Sequence, residues 1–137
     1  MKSAYTKNAE LAAILANRTG VNVSLSDAET LRRAELTLCR WAELECGDGD
    51  NYKSWAIERD EKTDKPYMVT YPHDGKARRR AIPDREKGAL RRVAQLCAEL
   101  GLHYFHQTDP RGCSLYVSNE PLTDTDYSRG VACCGRD

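Results

Sequence analysis

Apolar positions along this chain shift from a helical repeat to strict alternation and back again. From Thr6 to Arg18 the spacing predicts a helix, with Leu11, Ile14 and Leu15 on one short apolar side and Gly20 as its stop. A second helix is expected from Ser26, because Ser26-Asp27-Ala28-Glu29 reads as a capping box in which serine and glutamate satisfy each other's backbone donors. Leu31, Ala34, Leu38, Trp41 and Ala42 recur at helical spacing until Gly47. Leu36 and Cys39 lie off that stripe, so the helix is either wrapped on more than one side or offers an apolar strip to a partner.

Between Tyr52 and Ile82 the period is two. Trp55 and Ile57 share a face, as do Tyr67, Val69 and Tyr71, with turns at Glu61–Lys65 and at His73-Asp74-Gly75-Lys76 and a third strand at Arg78–Ile82. Pro83-Asp84 then opens a third helix, with Asp84 as its N-cap and a stripe of Leu90, Val93, Ala94, Cys97 and Leu100. Gly101 is placed for a left-handed C-cap onto which Leu102 folds back. Two aromatic-rich runs from His103 to Val117 flank Asp109-Pro110-Arg111-Gly112 and read as a hairpin, with Pro110 pre-setting its φ and Gly112 taking a positive one. The segment after Pro121 is polar, apart from Gly130–Cys134, which has room for one short strand.

The expected class is α+β: an antiparallel sheet of about five strands with helices packed on one face, in the order ααβββαββ. A single domain spans residues 1–137, with an N-terminal helical region (residues 1–47), then sheet, helix and hairpin (residues 52–118) and a polar tail (residues 119–137).

Composition narrows the function. The 21 basic and 21 acidic side chains leave a net charge of zero, which argues against a general nucleic-acid binder and against a polyanionic mimic. No apolar run reaches membrane-spanning length, so a cytoplasmic protein without membrane contact is expected, and its six cysteines are expected as reduced thiols. The loop Gly47–Asn51 lacks the spacing and terminal glutamate of a calcium loop.

Three constellations carry possible chemistry. His106 and Cys113, with Cys133 or Cys134, would make a composite zinc site if the tail returned to the sheet, whereas His103 and His106 face opposite ways on a strand. Cys113 with His106 and Asp109 has the residue types of a nucleophile and base, but a hairpin offers no oxyanion hole. Lys76, Arg78, Arg79, Arg80, Arg85 and Arg92, with Arg111 at the hairpin tip, concentrate positive charge. They read either as a solvated face with a protected edge strand or as a contact surface for an acidic protein or a phosphate backbone. Tyr104 and Tyr116, if exposed, would add base stacking. Phosphate-cradling loops, nucleotide fingerprints and catalytic serine signatures are missing from the sequence, so a binding protein without a catalytic residue or cofactor is expected.

Three blocks, Leu31–Leu38 continuing to Trp41–Cys46, Ala56–Glu61 with Lys65-Pro66-Tyr67, and Tyr104–Val117 around Asp-Pro-Arg-Gly, together resemble small accessory proteins of tailed bacteriophages and prophages. The resemblance spans nearly the whole chain. It implies a product made in the host bacterial cytoplasm that binds a host protein or ribonucleoprotein complex, as an anti-defence (anti-CRISPR) inhibitor does. The alternative it leaves is a nucleic-acid-binding modulator using the arginine-rich strand and the tyrosines.

Overall fold

A computed structural model describes residues 2–46, 52–63, 66–72, 75–81, 84–107 and 112–134. The expected turn Asp109-Pro110-Arg111, the loop at 47–51 and Pro83 lie outside the described residues, as do the side chains of Trp41, Trp55, Ile57, Arg78 and Arg80. The class is α+β. Helix α1 (Ala4–Thr19) and helix α2 (Leu25–Cys46) precede the meander β1 (Tyr52–Arg59), β2 (Pro66–Pro72) and β3 (Arg78–Ala81). Helix α3 (Asp84–Leu100), β4 (His103–His106), β5 (Leu115–Ser118), a 3-10 turn at Tyr127–Arg129 and β6 (Val131–Ala132) follow.

Local chemistry sets the helix ends. Ser3 begins α1 earlier than the apolar spacing implies, because its side chain accepts the Thr6 N–H at 3.2 Å. The cap of α2 is Ser24 rather than Ser26: the Ser24 hydroxyl accepts the Asp27 N–H at 3.0 Å. Ser26 instead lies inside the helix, where its carbonyl accepts from the Thr30 hydroxyl at 3.0 Å. Helix α3 ends in a Schellman motif, with Gly101 at φ 71° and the Leu102 N–H donating to the Cys97 carbonyl at 2.8 Å. Leu102 is buried against the helix it closes.

The strands form two antiparallel sheets of three, β1-β2-β3 and β4-β5-β6, which corrects the expectation of one sheet of about five. Strand pairing is decided over long sequence separations. Here the tail returns as β6 to pair with β5 (Val117 opposite Val131), so the hairpin completes its own sheet. Gly112, expected at positive φ, has no such angle; the positive-φ glycines among the described residues are Gly20, Gly75 and Gly101.

The main core lies between the three helices and one face of the second sheet. Leu15, Leu31, Val93, Leu115, Val117 and Cys133 are essentially sealed from solvent in it. In β4–β5, Tyr104 is opposite Val117 and His106 opposite Leu115, so these residues share the core-facing side. The other face carries Phe105 and Tyr116, and the Tyr127 ring covers both, stacked on Phe105 at 5.1 Å and edge-on to Tyr116 at 5.0 Å. Ile14, expected in the core stripe of α1, is 46% exposed. Asn8 joins the buried face of that helix instead, where its side-chain oxygen accepts from the Arg32 Nε at 2.7 Å.

Gly130 lets the tail approach β5. A Cβ there would meet Leu122 Cδ1 at 2.8 Å and the Val117 carbonyl oxygen at 3.1 Å. The Arg18 guanidinium also donates to the Arg129 carbonyl, tying α1 to the same segment. No helix among the described residues is long and apolar enough to cross a membrane.

Candidate functional site

Ionic side chains on the first meander are engaged with one another. Arg79 donates to Asp60 at 2.6 Å and lies 3.7 Å above the Tyr67 ring, while the Tyr67 hydroxyl donates to Glu58 at 3.0 Å. Asp60 also accepts the Lys62 and Thr63 N–H groups at 2.8 and 3.0 Å, closing the β1–β2 turn. Its bond to Arg79, more than these backbone bonds, holds the Asp60 carboxyl down at about 2. Arg79 therefore has a structural occupation in its own sheet. Lys76 is exposed beside β3, and the backbones of Arg78 and Arg80 lie within that strand. Arg111 lies outside the described residues.

The cysteine and histidine candidates sit in or beside the core. The Cys113 sulfur accepts the Cys134 N–H at 3.1 Å. Its hydrogen bond with the Cys134 side chain, followed by burial, raises the Cys113 thiol far above its ordinary value. Burial raises Cys133 likewise and pushes Cys97 up to about 11. A nucleophilic cysteine requires the opposite shift, so these thiols are held in the unreactive form. His106 keeps an exposed edge, but both ring nitrogens are shut off from solvent, and desolvation holds its pKa down at about 4. His106, Cys113 and Cys133 are not gathered into a metal-holding group, and no other set of three or more His, Cys, Asp or Glu residues forms one among the described residues.

Tyr104 is half-buried against the core, and Tyr116 is half-buried against Tyr127. Both rings are occupied by packing, which weakens base stacking as their role.

Arg85 and Arg92 have a different setting. They line a groove of about 620 Å³ on the outer side of the packed helices α2 and α3. Facing them from α2 are Arg33 and Arg40. The buried side of α2, Ala28, Leu31, Ala34, Glu35 and Leu38, fixes the helix rotation and turns Arg33 and Arg40 outward. Leu36 and Thr37 are half-buried between those arginines, and Ala34 lies in the floor. Among the described residues that line the groove the one acid is Glu29, pairing with Arg33 Nε at 3.1 Å across one helical turn. That pair is largely solvated, with the Arg33 side chain 75% exposed, and is therefore weak. Arg40, Arg85 and Arg92 form no ion pair with a described residue.

Gly88 lies between Arg85 and Arg92 on the same side of α3, and a Cβ there would stand 3.4 Å from Arg92 Nη1. Its bare backbone leaves room for that guanidinium to lie back along the helix.

No family model, curated protein or solved structure matches this chain. The groove must therefore be read from its own chemistry.

Of the basic residues singled out from sequence, the groove takes Arg85 and Arg92; among its described lining, neither Lys76 nor Arg79 appears. Sequence reasoning missed Arg33 and Arg40. Their separation of seven, equal to that of Arg85 and Arg92, was the available signal.

Proposed function

We propose that this chain is a non-enzymatic accessory protein that acts by binding, and that the α2–α3 groove takes an acidic surface of a partner protein. The observation that supports this is the concentration of four guanidinium groups around one groove, against a single carboxylate among its described lining residues. None of these arginines is buried, and like charges at such spacing repel, so the fold gains little from placing them together. An anionic partner reverses the sign of that interaction, and arginine is the basic side chain most favoured at protein interfaces.

A protein partner fits better than a nucleic acid on two counts. The chain is neutral overall, and the tyrosines that would stack on bases are packed against the protein itself. The phage-type resemblance supplies the setting of the proposal: a host complex whose acidic face is occupied, and thereby inhibited, by this protein.

The test is affinity purification of the tagged full chain from infected bacteria, alongside the Arg33→Glu/Arg92→Glu variant. The expected result is a partner that co-purifies with the parent chain and is lost from a variant with an unchanged far-UV spectrum. Equal recovery by both proteins would remove the groove from the proposal. Binding of short oligonucleotides with a steep loss of affinity as salt rises would replace the acidic-protein reading with a nucleic-acid one.

A further inference from the structure

The geometry of the groove points to the form of its occupant, and we infer that it is an α-helix carrying acidic side chains two turns apart. This rests on the binding reading above and adds to it the partner's secondary structure and charge spacing.

Both walls are helices. Arg33 and Arg40 on one wall, and Arg85 and Arg92 on the other, are each seven residues apart, which is ~10.5 Å along a helix axis. A helix lying along the groove presents carboxylates at positions i and i+7 with the same repeat, so one acidic row can meet successive arginines on a wall. An extended segment does not match: residues on one face of a strand recur at roughly 6.7 Å and then 13 Å.

The floor suits the same occupant. Ala34, Thr30 and Thr37 are short side chains, and Leu36 gives a half-buried apolar contact beside them. Short side chains permit close helix approach, and the furrow above two packed helices is where a third helix seats by ridge-into-groove contact. The occupant is thus amphipathic in a particular sense, with alanine or leucine toward the floor and aspartate or glutamate toward both rims. Glu29 is displaced from Arg33 as the partner's carboxylate arrives, an exchange made easy by the exposure of that pair.

The experiment uses the full chain and fluorescein-labelled probes, read by fluorescence polarisation at low salt. The first probe is a 20-residue alanine- and leucine-based helix with glutamate at two-turn intervals. The second has the same composition with a central proline, and the third is a 20-nucleotide oligo-dT. The expected result is binding of the helical peptide, at least tenfold weaker binding of the proline peptide, and at least tenfold loss for the Arg33→Ala/Arg92→Ala variant. Pairing Arg33→Glu/Arg92→Glu with a lysine-bearing version of the helix should restore binding, a gain that misfolding cannot produce.

Failure of the helical peptide to bind overturns the inference. Equal binding of the helical and proline peptides, both lost in the arginine variant, also overturns it while leaving the acidic-partner reading intact. Oligo-dT bound through the same arginines with neither peptide bound overturns both.

Discussion

Replacing His106 with phenylalanine should flatten the acid limb of the stability curve. His106 lies on the core-facing side of β4, opposite Leu115, with both ring nitrogens shut off from solvent. Desolvation lowers its pKa from the ordinary 6.5 to about 4. Below pH 6.5 the unfolded chain takes up a proton at this position, and the folded chain does so only near pH 4. Its contribution to stability is therefore fully present above 6.5 and is lost as the pH falls through that window. A difference of about 2.5 units, at roughly 1.4 kcal/mol each, makes the loss about 3 kcal/mol between pH 7 and pH 4. For a domain of this size that is a sizeable share of total stability. Phenylalanine keeps a planar ring in the site and cannot titrate. Urea unfolding followed by far-UV circular dichroism, at pH steps from 7 to 4, gives the stability of each protein. Their difference should change by about 3 kcal/mol across the window, in the direction that favours the variant at low pH. Depressed carboxylates such as Asp60 and Asp126 lose their own contributions as the pH falls toward their folded values, and they act alike in both proteins. Parallel stability curves would refute the reasoning, as would a parent protein that gained stability relative to the variant on acidification.

Other substitutions test the packing from different directions. Gly88→Ala should stabilise the protein by about 0.5–1 kcal/mol in thermal unfolding, because α3 gains a helix former and the close neighbour is the flexible end of Arg92. A destabilised variant would show that Arg92 cannot yield. Gly130→Ala should cost about 1–3 kcal/mol, because its new methyl group meets the β5 backbone as well as Leu122. A neutral result in urea titration would mean that the tail moves freely on the sheet. Glu35, fully buried on α2, accepts the buried Ser114 N–H at 3.1 Å. Glu35→Ala leaves that donor without its acceptor and opens a void, for an expected loss of at least about 2 kcal/mol, while Glu35→Gln keeps an acceptor oxygen and should lose less. Equal losses for the two variants in urea titration would contradict this account.

Local chemistry made the helices legible. Period, capping polar groups and terminal glycines are short-range signals, and Gly101 with Leu102 closes α3 through bonds to residues at most five positions away. Even there, near-degenerate signals compete. Ser24-Leu25-Ser26-Asp27-Ala28-Glu29 offers two serines, each followed three residues later by an acid, and Ser24 takes the cap. Once the cap moves, Glu29 is one turn from Arg33 inside the helix, and the two pair.

The division into two sheets was much less legible, because alternation shows that a segment is a strand without showing which strand it joins. Val131 and Cys133 look like a minor apolar island in a polar tail, yet both are buried in the core, and β6 takes the open edge of β5.

The groove lay between these extremes. Arg85 and Arg92 share a side of α3 by spacing alone, but a row of arginines on one helix reads equally well as a solvated face. What changes its meaning is the rotation of α2. That rotation depends on where Ala28, Leu31 and Leu38 bury, and hence on contacts with α1, α3 and the second sheet that no local pattern encodes. With those residues inside, Arg33 and Arg40 emerge opposite Arg85 and Arg92, and two ordinary rows become the walls of one basic groove. The functional proposal therefore rests on tertiary packing: destabilising the core face of α2 should misalign the walls and weaken partner binding even with every arginine in place.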